Sequence, residues 1–235
     1  MQDLYRAYAE SKPYFGELLG ADQGTHRFKY FPRIVDDVRK SAGRQRLDIL
    51  EIGSWAGGSA KAWDLACAGN CNLTCVDNWK PHLRKMQHVA DEAKRLFYHN
   101  MRVLGIEPRL RVVESPSEEA LFDFEDESFD IVFIDADHRY QCIRLDIHMS
   151  KELVREGGVI CGDDLEKQVH EIIDHTMFNS ALGRGLDGVR DDDNVGYHPG
   201  VTLAVFEEFG RIETFEGLWV RQKVRGSWEI LQGVR

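Results

Sequence analysis

The stretch FDIVFIDADHRY (residues 129–140) decides the fold of this chain. Its first six residues have the length and composition of a buried β-strand, and they pass directly into Asp135 and His138. A second apolar run ends in the same way at VICGDD (159–164), one helical segment later. Because ligands of a parallel sheet collect at the carboxyl ends of its strands, two acidic strand ends in succession indicate a site.

Apolar runs alternate with amphipathic segments along most of the chain. Each run is apolar on both faces, and helical patterns, several of them ending at glycine, separate the runs. Alternation of this kind predicts an α/β fold, a doubly wound and mostly parallel sheet with helices on both faces. The predicted strands are LDILEIG (47–53), NLTCVD (72–77), RLRVVE (109–114), FDIVFID (129–135) and GVICGDD (158–164).

The two ends of the chain differ from this alternating middle. Residues 1–46 precede the first strand and are predicted to form an N-terminal helical cap over the site. The helix before the fifth strand is predicted over 140–158, and another helix over 165–182. RIETF and LWVRQKV, separated only by EG, predict a C-terminal antiparallel hairpin.

The composition limits the classes of partner. The chain has 235 residues, is 43% hydrophobic and has a formal charge of −10, which suits one globular domain and argues against nucleic acid or an anionic membrane surface. No apolar run is long enough to cross a bilayer and the N-terminus lacks a signal-peptide core, so we expect a cytoplasmic protein. The five cysteines form no CxxC pair, and we expect reduced core thiols.

The stretch LEIGSWAGGSA (50–60) places glycines at a predicted strand-to-helix turn, where missing side chains let a ligand approach the backbone. A dinucleotide loop requires G-x-G-x-x-G and an ATP loop requires Lys before Ser or Thr, and neither pattern is present. Asp77 ends the second strand, where an acid can bind ribose hydroxyls. The pattern favours a nucleoside cofactor without a phosphate chain, with a tight turn and no ligand as the alternative.

The motifs LEIGSWAGGSA, VDNW (76–79), FDIVFIDADHRY and GGVICGDD (157–164), in this order, resemble class I S-adenosylmethionine-dependent methyltransferases. More narrowly, they resemble the metal-dependent O-methyltransferases, which include catechol, caffeoyl-coenzyme A and macrolide-sugar O-methyltransferases. The resemblance covers residues 47–164 and implies a Rossmann-like sheet, with a methyltransferase domain over 47–235. The cofactor contacts that it implies are Glu51, Gly53, Ser54, Trp55 and Ser59 at the methionine end, Asp77 at the ribose, Asn78, Trp79, Ser117 and Glu118 near the adenine, and Asp135.

The two acidic strand ends form the predicted cation site. If the fourth and fifth strands are neighbours, as the resemblance implies, their ends lie about 5 Å apart. Carboxylates this close would repel one another without a cation, and an all-oxygen set selects a hard ion, Mg²⁺ with Mn²⁺ or Ca²⁺ as substitutes. By resemblance, the protein ligands are Asp135, Asp163 and Asp164, and substrate oxygens complete the shell. The alternative role for Asp163 or Asp164 is a helix N-cap.

His138 follows Asp135 by three residues, where catechol-type relatives have a lysine base. Histidine can transfer a proton near neutral pH, so His138 is the predicted base, and Asp135 acts beside it through the ion. The departure from lysine speaks against a catechol-like acceptor. A histidine that begins a helix and bonds to solvent is the alternative, and His198 is a second candidate base. The loop LDGVRDDDN (186–194) receives no predicted chemistry.

The leading prediction is an enzyme that moves a methyl group from S-adenosylmethionine to a hydroxyl of a small molecule, such as a sugar, a natural product, a vicinal diol or a catechol. One alternative is an NAD-type oxidoreductase, against which the missing glycine at position 55 argues. Another is a non-catalytic nucleoside-binding module, which would not need an acidic triad beside the donor. We expect no nucleic-acid or membrane partner, and the sequence leaves a homo-oligomer open.

Overall fold

The structure, a computed structural model, describes residues 2–16, 25–81 and 86–231, so residue 1 and residues 17–24 of the predicted cap lie outside the described residues. No helix in these three ranges is long and apolar enough to span a bilayer. The helices are α1 (Gln2–Ala9), α2 (Phe31–Ala42), α3 (Gly58–Ala66), α4 (Gln87–Val103), α5 (Ser117–Ala120), α6 (Tyr140–Leu153), α7 (His175–Arg184) and α8 (Pro199–Phe209), with 3-10 turns at Thr25–Tyr30, Glu107–Arg109, Leu121–Asp123 and Val169–Glu171. The strands are β1 (Leu47–Ile52), β2 (Cys71–Val76), β3 (Leu110–Val113), β4 (Phe129–Ile134), β5 (Val154–Gly162), β6 (Val189–Arg190), β7 (Gly196–Tyr197), β8 (Thr214–Phe215), β9 (Leu218–Val224) and β10 (Ser227–Glu229).

Eight of the strands form one mixed sheet. Its order is β3-β2-β1-β4-β5-β9-β10, and β8 pairs with β9. The first five strands of the chain pair in parallel, whereas β9 runs antiparallel to β5 and both β8 and β10 run antiparallel to β9. The predicted Rossmann-like sheet, mostly parallel with a C-terminal antiparallel hairpin, is confirmed.

The central strand β4 shows why the strands read as continuous apolar runs. Successive side chains of a strand point to opposite faces. Ile131 and Phe133 pack in one core cluster with α2, α3 and α4, while Val132 and Ile134 pack in a second cluster with α6 and α8. Both faces of the sheet are covered by helices, so neither set of side chains reaches water.

The strand ends align at the edge where the candidate site lies. Ile52 of β1 pairs with Ile134 of β4, and Ile134 pairs with Gly162 of β5. The residues that follow, including Asp135 and Asp163, therefore emerge side by side at the carboxyl edge of the sheet. The neighbouring position of the fourth and fifth strands, on which the predicted cation site depends, is confirmed.

Helix α2, which lies in the predicted cap, is part of the main core. Phe31, Ile34, Val35 and Val38 have no exposed surface. The ring of Phe31 stacks on that of Trp63 from α3, with centroids 3.6 Å apart and planes 8° from parallel. Burial of four such side chains contributes several kcal/mol, on the order of 1.5–3 kcal/mol each, so α2 is packed against the sheet as part of the core.

The boundary between α6 and β5 differs from the prediction. The helix predicted over 140–158 ends at Leu153, and β5 begins at once with Val154. Val154 pairs with Phe129 of β4. Pairing with a neighbouring strand therefore extends β5 into residues that the local pattern predicted to be helical.

The helix predicted over 165–182 differs as well, because α7 begins at His175, the eleventh residue of that range, and ends at Arg184. The carboxylate of Asp191 accepts the backbone N–H groups of Ile173 and Asp174, each at 2.9 Å. Because these two N–H groups donate to Asp191, they cannot donate to carbonyl groups four residues earlier, as a helix continuing from the preceding residues would require. Asp174 then caps α7 by accepting the backbone N–H of Met177 at 2.8 Å.

One buried carboxyl group lies outside the carboxyl edge of the sheet. Asp146 of α6 is 1% exposed, and neither of its oxygens has a well-aligned hydrogen-bond partner among the described residues. Burial raises its pKa to about 7. The carboxyl group of Asp146 has a pKa of about 3.9 in the unfolded chain. Between about pH 4 and pH 7, Asp146 is therefore protonated in the folded protein and ionised in the unfolded chain.

We expect Asp146→Asn to remove a pH-dependent loss of stability. Because the folded state holds the extra proton, the wild-type free energy of unfolding falls as the pH rises from about 4 to about 7. Asparagine does not titrate, so the advantage of the variant should grow over that window by up to about 4 kcal/mol and stay constant above it. Urea unfolding of both proteins at several pH values measures it, and a difference that does not change with pH contradicts the assignment.

Candidate active site

The glycine loop after β1 is held by the carboxylate of Asp77, which follows β2. One oxygen accepts the backbone N–H groups of Ser54 and Trp55 at 3.0 and 2.8 Å, and the other accepts that of Trp79 at 2.7 Å. Burial raises the pKa of Asp77, and these three donors oppose the rise. The predicted ribose ligand therefore also orders the loop, a role that the sequence did not indicate.

Gly53 allows this loop to pass against the end of β4. Its φ is +88°, and an added Cβ would overlap the backbone carbonyl of Asp135. The backbone N–H of Asp135 donates to the carbonyl of Ile52 at 2.8 Å. The sequence predicts that a ligand approaches the backbone at this glycine, and in the structure the end of β4 makes a close approach there. The glycine loop is therefore in backbone contact with the acidic strand end.

Glu51, predicted at the methionine end, has no exposed surface. Burial raises its pKa to about 7, and the thiol of Cys75 lies 3.4 Å from Oε2. Its Oε1 atom and the hydroxyl of Ser54 are buried without a well-aligned hydrogen-bond partner among the described residues. Ser59, at the start of α3, is buried as well. Buried polar atoms of this kind retain hydrogen-bonding capacity that a ligand can satisfy.

The residues predicted near the adenine occupy different depths. Trp79 is 3% exposed, packs on Phe97 with ring centroids 5.5 Å apart, and donates from its indole nitrogen to a loop carbonyl at 2.9 Å. Asn78 and Ser117 are partly exposed, and Glu118 is exposed at the start of α5. Trp79 therefore anchors the loop in the core, while the other three remain open to solvent.

Asp135, His138 and Asp164 converge at the carboxyl ends of β4 and β5. His138 Nε2 lies 2.9 Å from Asp164 Oδ2 and 3.9 Å from Asp135 Oδ1. One ligand atom from each residue lies within 4.8 Å of the other two, close enough to share a metal ion. The Nε2 atom is buried, and no described residue gives it a well-aligned hydrogen bond. Three of the predicted site residues thus form one cluster.

Residues 183–198 contribute Asp187 and His198 to this cluster. His138 Nδ1 lies 3.0 Å from Asp187 Oδ1, and His198 Nδ1 lies 3.0 Å from the Asp187 carbonyl. The two imidazole rings meet edge to face with centroids 4.3 Å apart, and His198 Nε2 is 4.0 Å from Asp164 Oδ1. Asp187 belongs to the loop to which the sequence assigned no chemistry, and only the fold brings it here.

Asp163, the remaining predicted metal ligand, is bound by Arg27 from the 3-10 turn Thr25–Tyr30. Arg27 Nη1 donates to Asp163 Oδ1 and, at 3.2 Å, to Asp164, while Nη2 donates to Glu166 at 2.7 Å. Arg27 is 7% exposed, and although burial opposes it, these carboxylates raise the pKa of its guanidinium. Asp163 belongs to none of the three-residue ligand groups found among the described residues. No sequence signal pointed to Arg27 or Glu166.

The carboxyl edge has more negative charge than Arg27 offsets. Burial together with Asp135 and Asp164 raises the pKa of Asp163 to about 8. Burial disfavours a charge on His138, but hydrogen bonds to Asp135 and Asp164 raise its pKa well above the usual range. His138 in turn holds the pKa of Asp164 below its usual range, against the effect of burial. A further cation at this edge would relieve the repulsion.

A cavity of about 460 Å³ adjoins the cluster and is lined in part by Glu166, Arg190 and His198. Glu166 Oε2 is buried without a well-aligned hydrogen-bond partner among the described residues. A second cavity of about 290 Å³ is mostly apolar and is lined in part by Phe28 and Leu65. The larger cavity shares two residues with a candidate ligand group, and its volume is within the usual range of small-molecule sites, about 300–1,000 Å³.

Comparison with known proteins agrees with this geometry. Residues 50–165 match a family model described as a methyltransferase domain, and this span contains the glycine loop, Asp77 and both acidic strand ends. The chain is accordingly a methyl-transferring enzyme, and the match supports the predicted donor, S-adenosylmethionine. No curated protein matches the chain in sequence.

Solved structures show the same fold at low sequence identity. A protein from Corynebacterium glutamicum is 18% identical with a TM-score of 0.57, covering 95% of this chain and 97% of its own. A candidate caffeoyl-CoA O-methyltransferase from Staphylococcus aureus is 16% identical with a TM-score of 0.52, covering 93% and 89%. A candidate S-adenosyl-L-methionine-dependent methyltransferase from Methanococcus maripaludis is 12% identical with a TM-score of 0.50, covering 88% and 90%. At these identities the likeness establishes the fold of the methyltransferase domain and not its acceptor.

We expect Asp77→Ala to weaken S-adenosylhomocysteine binding by about 1–3 kcal/mol, because the backbone N–H groups of Ser54, Trp55 and Trp79 lose their common acceptor. The melting temperature should fall as well, since Asp77 orders the loop. Calorimetric titration measures the affinity. Asp48→Ala, which removes an acid bonded to Arg155 nearer the opposite end of β1, is the control for a general loss of stability. Wild-type affinity in Asp77→Ala would exclude the residue from cofactor binding.

Proposed function

We propose that this enzyme transfers a methyl group from S-adenosylmethionine to a hydroxyl group of a small molecule, with a divalent cation at the carboxyl edge. The observation that best supports the proposal is the cluster of Asp135, His138 and Asp164 beside the cofactor loop. Carboxylates and a histidine in this position suit activation of a hydroxyl group.

The residues of the glycine loop fit the proposed donor. Glu51 Oε1 and the Ser54 hydroxyl are buried and lack well-aligned partners among the described residues, so they can receive the amino group of a methionine moiety. Asp77, already oriented by three backbone donors, retains acceptor capacity for ribose hydroxyls. When bound, the donor supplies an electrophilic methyl group on a sulfonium, whose S–C bond breaks as the acceptor oxygen bonds to the methyl carbon.

The carboxyl edge fits a divalent cation. Asp135 and Asp164 would supply hard oxygen ligands, and Asp163 is the third ligand that the resemblance implies. The Oε2 atom of Glu166, buried without a well-aligned partner among the described residues, is a further sign of a missing polar partner. Mg²⁺ is the proposed ion, with Mn²⁺ or Ca²⁺ as substitutes; it would lower the pKa of an acceptor hydroxyl.

His138 is the proposed base for the acceptor proton. Asp187 on Nδ1 orients the ring and leaves Nε2 directed towards Asp164 and Asp135. The surrounding carboxylates raise the pKa of His138 and favour its protonated form. A divalent cation on Asp135 and Asp164 would oppose that rise, and the neutral ring could then accept the proton of the acceptor hydroxyl. His198 is the second candidate, with a backbone carbonyl rather than a carboxylate on Nδ1.

The adjoining cavity is the proposed acceptor site. Glu166, Arg190 and His198 give its lining hydrogen-bonding groups of both charges, which suits a hydroxylated small molecule. The alternatives find less support. Trp55 occupies the position where a dinucleotide loop needs glycine, and the methyltransferase family match argues against an oxidoreductase. A non-catalytic binding module would leave the histidine–carboxylate cluster without a role.

Removal of divalent ions should abolish methyl transfer. We expect EDTA to stop turnover and Mg²⁺ or Mn²⁺ to restore it, while Asp164→Asn should block that rescue because a central oxygen ligand is lost. S-Adenosylhomocysteine affinity should stay within about threefold of wild type, since Asp164 lies outside the glycine loop; threefold is roughly 0.7 kcal/mol. Asp36→Asn, an exposed acid on α2, is the control. Full turnover in chelator contradicts the metal requirement.

We expect His138→Gln to lower kcat by about 10²–10⁴-fold, the usual range for a positioned general base. His198→Gln should cost less than about tenfold, because its Nδ1 has no carboxylate to orient it. Single-turnover methyl transfer at saturating donor measures both, with S-adenosylhomocysteine affinity as the folding check. A large loss in His198→Gln and a small one in His138→Gln would reverse the two roles.

A further inference from the structure

The Arg27 guanidinium is enclosed by two separate parts of the fold, residues 163–166 and the turn at residues 216–217. Besides its bonds to Asp163 and Glu166, its Nε donates to the backbone carbonyl of Glu216 at 2.5 Å. The next residue, Gly217, has a φ of +94°, and a Cβ there would lie 2.6 Å from Arg27 Nη2. The turn between β8 and β9 is therefore shaped to admit the guanidinium. We call Arg27, Asp163, Glu166 and the Glu216 carbonyl the Arg27 network.

Asp163 takes part in this network through its Oδ1 atom. Its Oδ1 accepts from Arg27 Nη1 and, at 2.9 Å, from the backbone N–H of Asp164. Its side chain is 5% exposed, against 18% for Asp164 and 32% for Asp135. An ion that must also bind water and substrate oxygens needs an open approach, and of the three predicted carboxylates Asp135 and Asp164 are the more exposed.

The requirements of the ion do not demand Asp163. Mg²⁺ in proteins is commonly held by one or two carboxylates plus water and substrate oxygens. Asp164 belongs to two of the candidate ligand groups among the described residues, one of them with Asp135, and Asp163 belongs to none. Arg27 Nη1 binds Asp163 closely and reaches Asp164 only at 3.2 Å, so its charge offsets Asp163 more than the other two carboxylates.

We propose that Asp163 binds Arg27 rather than the divalent ion, and that Arg27 is a positioning residue that fastens residues 25–30 to the active-site edge. The ion then rests on Asp135 and Asp164 alone among the three predicted carboxylates. This assignment builds on the proposed function in its metal part. The Arg27 network itself does not depend on an ion.

Mn²⁺ titration followed by electron paramagnetic resonance, with saturating S-adenosylhomocysteine, tests the ligand assignment. Asp163→Asn should bind Mn²⁺ within about threefold of wild type, whereas Asp164→Asn should bind it at least about tenfold more weakly, the cost of losing a charged ligand. Arg27→Gln should bind Mn²⁺ more tightly, by about three- to tenfold, because it frees the Asp163 carboxylate. The double variant Arg27→Gln/Asp163→Asn should return to the wild-type value. Equal weakening in Asp163→Asn and Asp164→Asn overturns the assignment.

Thermal unfolding without any ion tests the network separately. Arg27→Gln and Asp163→Asn should each lower the melting temperature, by on the order of 10 °C, because each strands a buried charge. The double variant should be no less stable than Arg27→Gln, since both charges are gone. Lys29→Gln is the matched control: it breaks the exposed pair with Glu216, 2.6 Å apart, on the same 3-10 turn, and should shift the melting temperature little.

The Mn²⁺ titration tests the ligand assignment, and thermal unfolding tests the positioning role of Arg27. If the wild-type enzyme binds no Mn²⁺, the metal part of the proposed function fails, and the proposal here loses its ligand assignment with it. The positioning role of Arg27 then stands or falls on the unfolding data. Strictly additive losses in the double variant, or a loss in Lys29→Gln as large as in Arg27→Gln, would overturn that role.

Discussion

The contact between Gly53 and the backbone of Asp135 is the constraint on which the site depends. Only a residue without a Cβ fits there, and the hydrogen bond from Asp135 to the Ile52 carbonyl fixes the two strand ends at this distance. The cofactor loop and the carboxyl edge consequently share one wall. In the proposed function, a donor methyl group and an acceptor oxygen bound on either side would be held in the proximity that a displacement reaction requires.

The sheet could be predicted from sequence because its strands are buried on both faces, so that composition alone marks them. The prediction failed where a distant partner overruled a local pattern. Val154 has helical neighbours in sequence, yet pairing with Phe129 makes it a strand residue. In the same way, Asp191 takes the backbone donors of Ile173 and Asp174, and the amphipathic pattern before them forms a turn. Periodicity contains no information about such partners.

The same distinction, between what the local sequence indicates and what distant partners decide, applies to the candidate site. Asp135 and Asp164 could be placed from sequence, because residues after parallel strands emerge at one edge whatever the rest of the fold does. Arg27 lies 136 residues from Asp163, and Asp187 lies 49 residues from His138, in segments without a motif. Trp79 is predicted to lie near the adenine, and the structure adds that its ring packs on Phe97, a contact that the sequence did not indicate.

Glu166 connects Arg27 with the cavity proposed for the acceptor, a connection that the sequence did not indicate. Its Oε1 is held by Arg27, while its Oε2 has no well-aligned partner among the described residues and the residue lines the cavity proposed for the acceptor. A carboxylate has limited freedom when one oxygen is fixed by a buried guanidinium. An acceptor bonded to the second oxygen would therefore meet a group whose orientation is set by residues 25–30. In that arrangement, recognition of the acceptor and the position of the N-terminal segment are linked through a single side chain.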